Sequence, residues 1–232
     1  MPSITVENYL KALLSLTTET GETGVSDLSK EIGVSTPTAN SMVKRLAEEG
    51  LVRYERYRPV QMTEAGRRAA AHVLRRHRLT EMFLVEKMNF GWEEVHAIAE
   101  QVEHIDSPEF FRRMDELMDF PTRDPHGSPI PDAEGNLPRE EGYDRLSDCQ
   151  VGQRVRLQRL SHDNKAFLEL LNARDLQLGQ EIDILQREVF DSSMRLAYAG
   201  RTESFSKLAC DKLLVEVVAA VAPPEEGHQT DQ

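Results

Sequence analysis

The sequence predicts a mainly α chain with small β parts, and three observations carry that reading. Residues 3–50 show helical periodicity interrupted by glycines. Residues 64–120 are helical almost throughout, and residues 150–218 contain segments that alternate apolar and polar with a period of two. A Pro- and Gly-rich stretch, Pro121 to Gly142, reads as a linker or a pinned irregular loop. The 232 residues therefore divide into 1–72, 73–142, 143–222 and a polar tail, 223–232, expected to fray.

Ile4, Val6, Tyr9, Leu10, Leu13, Leu14 and Leu16 set the first helix, which Gly21 and Gly24 end. Ser26–Gly33 is a short helix, with Ser26 expected as its N-cap and Gly33 closing it. Val34-Ser35 is the turn, and Thr36-Pro37 opens a third helix where the missing proline N–H costs nothing. That helix buries Val43 and Leu46 and stops at Gly50. Residues 51–62 alternate as two strands around a basic aromatic tip, Tyr54-Glu55-Arg56-Tyr57-Arg58. Thr63-Glu-Ala-Gly66 then starts a long helix reaching about Lys87. Helix, helix-turn-helix and hairpin in this order make a winged helix-turn-helix. In the last third, residues 150–157, 180–185 and 213–218 read as strands and Lys165–Asn172 as a helix, a pattern that fits a small SH3-like β-barrel.

Composition narrows the function. With 39% hydrophobic and 29% charged residues the chain reads as a soluble globular protein. MPSITVENYL lacks a basic n-region and an apolar h-region, and no apolar run approaches a membrane span. A cytoplasmic protein without membrane association is expected. Cys149 and Cys210 form no CxxC and are expected as free thiols. The net charge of −12 is unevenly spread: residues 1–78 hold 12 Lys and Arg against 9 Asp and Glu, and the remainder 16 against 31. A front of charge +3 and a rear of −15 suit a DNA-facing domain joined to one that binds cations.

In a helix-turn-helix the N-terminal residues of the second helix reach base edges in the major groove. Here those are Ser35, Thr36, Pro37, Thr38, Asn40 and Ser41. Asn40 can pair with adenine, and Pro37 or Thr38 can touch a thymine methyl. Lys44, Arg56 and Arg58, with Arg45 and Arg53, supply phosphate charge. Double-stranded DNA is the expected partner; a protein-interaction winged helix is the bland alternative.

His96, Glu100, Glu103 and His104 fall at i, i+4, i+7 and i+8, along one helical face too polar for packing. His77 and Glu81 repeat the i, i+4 spacing upstream. Two such helices face to face would converge imidazoles and carboxylates on a divalent ion. Donors without thiolate favour Mn2+ or Fe2+ over Cu+. An enzyme with a helical His/Glu di-metal site would use similar groups, though the paired Glu-x-x-His motifs of such sites are missing. A metal-independent regulator is a third reading.

Four strings, Glu7-Asn-Tyr-Leu10, Arg76-His-Arg-Leu-Thr-Glu81, Val95-His96 through Glu103-His104, and His126-Gly-Ser-Pro-Ile-Pro131, make the chain resemble the DtxR/MntR family of metal-dependent bacterial repressors. The resemblance covers most of residues 5–131, and the barrel extends it to about 220. It implies a homodimer that binds Fe2+ or Mn2+, docks on palindromic operators and represses metal-uptake genes. It further implies one metal site from Glu100, Glu103, His104 and the first-helix residue Asn8, and another from His77, Glu81 and His96. Iron-type members carry Cys where this chain has Glu100, so the resemblance leans to Mn2+, with Fe2+ the alternative. The chain departs from the pattern at two positions. Asn8 replaces the Met or Asp of other members, and Lys11 stands where manganese-type members place a second acidic ligand. Three-domain members add ligands from the SH3-like domain, for which His162, Asp163 and Asn164 are the nearby residues.

Overall fold

Ser3 opens the first helix: its Oγ accepts from the Val6 N–H at 3.4 Å, and α1 (Ile4–Thr17) then buries Val6, Tyr9, Leu10, Leu13 and Leu14. The structure, a computed structural model, describes residues 3–18, 20–138, 142–161 and 164–220. The chain splits into two compact units, Met1–Asp124 with Pro129–Arg139, and Pro125–Ser128 with Glu140–Gln232.

In the first unit α1 is followed by β1 (Glu22–Thr23), α2 (Val25–Ile32) and α3 (Thr36–Glu48). The cap of α2 is Gly24, not Ser26. The Asp27 and Leu28 amides bond the Gly24 carbonyl, so the helix begins one residue before Ser26 and takes it inside. Gly33 ends α2 at φ 76°, a left-handed conformation that suits a residue without Cβ. Ser35 caps α3, its Oγ accepting from the Thr38 N–H at 3.3 Å, and Pro37 sits in the first turn. β2 (Val52–Arg53) and β3 (Val60–Met62) form the expected hairpin. β1 adds a third strand in the order β1-β3-β2, which the sequence reading missed because two residues carry no alternation to read.

Thr63 caps α4 (Glu64–Met88), accepting from the Gly66 N–H at 3.1 Å. A Cβ at Gly66 would lie 1.9 Å from the Leu51 carbonyl oxygen, so glycine lets the helix start against the end of the wing. One core joins Leu10, Leu13, Leu28, Ala39, Val43, Leu46, Val60 and Ala70. α5 (His96–Val102) and α6 (Pro108–Leu117) follow, and Leu79, Phe111, Met114, Met118 and Ile130 form a second core. The Pro-rich segment is pinned: Arg75 donates to the Pro131 carbonyl at 2.6 Å and Arg78 to that of Pro129. Asp132 accepts from the Glu134 and Asn136 amides in a tight turn.

The second unit is an antiparallel sheet. Its elements are β4 (Asp144–Arg145), β5 (Gln153–Leu160), α7 (Lys165–Ala173), β6 (Glu181–Arg187), β7 (Met194–Tyr198), β8 (Arg201–Phe205), α8 (Lys207–Cys210) and β9 (Leu213–Ala220). The order β4-β9-β5-β6-β7-β8 buries Val155, Leu157, Ile182, Ile184, Leu196, Leu213 and Val215, with Leu168 and Leu171 of α7. Cys149 and Cys210 are free and buried, and burial pushes their thiols up to about 11 and about 12, which leaves them protonated and inert. Among the described residues no helix is long and apolar enough to cross a membrane. His162, Asp163 and the tail 223–232 lie outside the described residues; Asn164 caps α7, its Oδ1 accepting from the Phe167 N–H at 3.0 Å.

Candidate metal centre and DNA-reading face

His77 and Glu81 sit one turn apart on α4, and both are buried. His96 is the first residue of α5, and α5 packs on α4. Three donor atoms converge there. His77 Nε2 lies 3.0 Å from Glu81 Oε1 and 3.2 Å from His96 Nδ1, and the latter two are 3.3 Å apart. Ligand atoms about 2.1 Å from one ion are separated by about 3.0 Å in an octahedron and about 3.4 Å in a tetrahedron, so these three are already spaced to share an ion. The His77 and Glu81 side chains are 6% and 2% exposed, whereas that of His96 is 52% exposed, and this is the side from which an ion can enter.

The other nitrogen of His77 is also fixed. Nδ1 lies 2.5 Å from Glu103 Oε2, and a carboxylate can only accept, so Nδ1 carries the proton and Nε2 is left to face Glu81 and His96. Burial works against charge on this imidazole. The hydrogen bonds to Glu103 and Glu81 outweigh it and push the pKa up to about 9.

The four residues expected on one helical face do not all share one helix, although His96 Nε2 lies 3.5 Å from Glu100 Oε1 and His104 Nε2 3.6 Å from Glu103 Oε1. α5 stops at Val102, Glu103 closes it with helical backbone angles, and His104 lies beyond its end. Glu103 is fully buried. Both its oxygens accept from Lys11 Nζ of α1, at 2.7 and 2.8 Å, and Lys11 also donates to Glu100 Oε1 at 2.6 Å. Burial disfavours the Glu100 carboxylate, but the Lys11 ammonium prevails and holds it below the usual carboxylate range. His104 Nδ1 donates to Glu7 Oε2 at 2.6 Å, and Glu7 Oε1 accepts from Arg76 at 2.6 Å. Asn8 Oδ1 is buried with no hydrogen-bond partner. Thus the His77, Glu81 and His96 set fits a divalent ion as it stands, whereas the Asn8, Glu100, Glu103 and His104 set has a lysine ammonium bonded to both its carboxylates. Sequence reading marked Lys11 as a departure from the family pattern but not its bonds to Glu100 and Glu103, and gave Glu7 no part. The available signal is their spacing of four, which puts two charges on one side of an otherwise apolar helix.

The residues expected to face DNA lie on α3 and on the wing. Ser35, Thr36, Pro37, Thr38, Ser41 and Lys44 are exposed on the first turns of α3 and along it. Asn40 is half-buried, and Tyr54 of the wing donates to its Oδ1 at 2.6 Å, which fixes the amide and occupies one lone pair. Ser41 Oγ donates to the Pro37 carbonyl. On the wing tip Arg56 lies over the Tyr57 ring at 4.7 Å, and Arg58 pairs with Glu55 at 3.2 Å; all four are exposed.

Residues 1–60 match the iron dependent repressor N-terminal DNA binding domain, residues 63–132 the iron dependent repressor metal binding and dimerisation domain, and residues 145–217 the FeoA domain. The diphtheria toxin repressor of Corynebacterium diphtheriae is 30% identical over 207 residues, 85% of this chain and 90% of that protein. The chain belongs to the iron-dependent repressor family. The iron-dependent repressor IdeR of Mycobacterium tuberculosis is 35% identical over 157 residues, 65% of this chain and 68% of that protein. A solved manganese-dependent transcriptional repressor in complex with manganese superposes with a TM-score of 0.83 at 33% identity, over 92% of this chain and all of that one. These relatives are metal-dependent transcriptional repressors and not enzymes, so the di-metal enzyme alternative falls. The winged helix, the helical domain and the FeoA-type sheet all correspond to matched domains of this family.

Proposed function

We propose that this repressor binds palindromic operator DNA as a homodimer in the cytoplasm, that Mn2+, with Fe2+ as the alternative, controls it, and that it represses genes for metal uptake. The observation that carries the reading is the convergence of His77 Nε2, Glu81 Oε1 and His96 Nδ1 at mutual separations of 3.0–3.3 Å, backed by Glu103 on His77 Nδ1. Imidazole and carboxylate donors without a thiolate support Mn2+ or Fe2+ over softer ions. His77, Glu81 and His96 would hold the ion, which supplies a divalent charge in place of the proton on His77.

The residues link that centre to the DNA-reading face. Glu103 receives a hydrogen bond from His77 of α4 on one side and two from Lys11 of α1 on the other. α1 packs in the same core as α2 and α3, so a change at His77 is one carboxylate away from the element that supports the recognition helix. In a dimer the attitude of α1 sets the separation of two recognition helices, which must match one DNA turn, about 34 Å. A ligand that favours the matching arrangement shifts the population toward it, and DNA tightens metal binding by the same factor.

Operator binding measured with added Mn2+ and with a chelator tests the reading. Tight binding with Mn2+ that a chelator reverses supports it, and binding indifferent to both overturns it.

A further inference from the structure

We propose that the Lys11 ammonium is a built-in cation that fills the Asn8, Glu100, Glu103 and His104 set, so that this chain holds one fewer divalent ion per protomer than its carboxylates and imidazoles would allow. The inference rests on the metal-sensor reading for the His77 set alone.

Stereochemistry comes first. A lysine ammonium has three N–H donors. Three carboxylate oxygens surround Lys11 Nζ, Glu100 Oε1 at 2.6 Å and Glu103 Oε1 and Oε2 at 2.7 and 2.8 Å, so all three donors are used. The Lys11 side chain is 18% exposed and that of Glu103 fully buried, so the contact is not a loose surface pair. Glu103 Oε2 has its other lone-pair direction on His77 Nδ1. A divalent ion between α1 and α5 would have to take oxygens already held by the lysine, and would stand beside its positive charge.

Charge leads to the same count. Glu81, Glu100 and Glu103 bring three negative charges, Lys11 returns one, and the charge of Glu7, which accepts from His104, is matched by Arg76. One divalent ion at His77, Glu81 and His96 makes the cluster neutral. A second ion beside Lys11 would leave it with two uncompensated positive charges in a largely buried site, which is costly. With Lys11 present, the tie between α1 and α5 stands without metal, and only the His77 centre responds to it.

Removing the ammonium should open the second set, where Glu100, Glu103, the Nε2 of His104 and the orphan Asn8 Oδ1 are then available as donors. The test is the number of Mn2+ ions per protomer, from isothermal titration and from metal analysis after equilibrium dialysis, for the full chain and for Lys11→Met. Lys11→Gln, which keeps a donor toward Glu103 but no charge, guards against a Met variant that fails to fold, and thermal melts report folding of each. The expected result is one more Mn2+ per protomer in the folded variants than in wild type. An equal number in wild type and both variants overturns the proposal. A wild-type chain that binds none while the variants bind one would uphold the Lys11 proposal and overturn the His77 centre instead, so the two readings fail separately.

Discussion

His77 carries the account because both its nitrogens are committed, Nδ1 to Glu103 and Nε2 toward Glu81 and His96. Burial opposes its charge, but the two carboxylates raise its pKa to about 9. In the metal-free protein at neutral pH, His77 is therefore an imidazolium. Its folded pKa lies above the ordinary 6.5, so the stability it contributes is fully present below about 6.5 and is lost as pH climbs through about 9. Metal must displace that proton. Mn2+ affinity should accordingly rise with pH, by up to about tenfold per unit below 9, and titrations at three pH values in that range check it; an affinity flat with pH contradicts the protonated starting state. Glu103→Gln removes the negative charge and one of the two acceptor oxygens that hold His77 and Lys11, and should lower Mn2+ affinity by about 10- to 100-fold. The same variant strips Lys11 of a buried counter-ion, so its melting midpoint should fall as well. Unchanged affinity would mean that Glu103 does not position His77.

Among the elements, the proposed reading has α3 read bases and the wing hold phosphates. Tyr54 fixes the Asn40 amide, so Asn40→Ala should cost about 1–3 kcal/mol on the cognate operator and little on random DNA. Tyr54→Phe should lose part of that discrimination by freeing the amide. Equal loss on both DNAs would mean that α3 presents a different face. Arg56→Ala and Arg58→Ala should weaken cognate and random DNA alike and lower the salt slope by about one unit per lost phosphate contact, which binding across a salt series measures.

The helices were legible because their signals are local: Ser35 and Thr63 cap, Pro37 starts, Gly33 stops. Four strands were not. β1 and β4 are two residues each, held by pairing with β3 and β9, a tertiary cause. β8 buries only Phe205 fully and so shows no alternation. β7 alternates, burying Met194, Leu196 and Tyr198, but over five residues bounded by a hairpin tip that exposes Val189 and Phe190.

In the molecule as a whole, the candidate metal centre was half legible. His77, Glu81 and His96 announce themselves by i, i+4 spacing on α4 and by a polar face at α5. The rest depends on partners 92 and 97 residues apart, Lys11 with Glu103 and Glu7 with His104, which no helical period encodes. Of the four candidate ligands expected on one face, His96 and Glu100 lie on α5, Glu103 caps it, and His104 stands two residues beyond its end at Val102. In the proposed reading one centre speaks to the DNA-reading face through Glu103. The direct test is operator affinity across an Mn2+ titration at fixed ionic strength, for wild type and His96→Ala. His96 is the most exposed of the three donors, so its loss leaves both cores intact. Mn2+ should tighten wild-type binding at least tenfold, and His96→Ala should keep the metal-free affinity but lose the response; a response of equal size in His96→Ala would mean that the His77, Glu81 and His96 set is not the sensing centre.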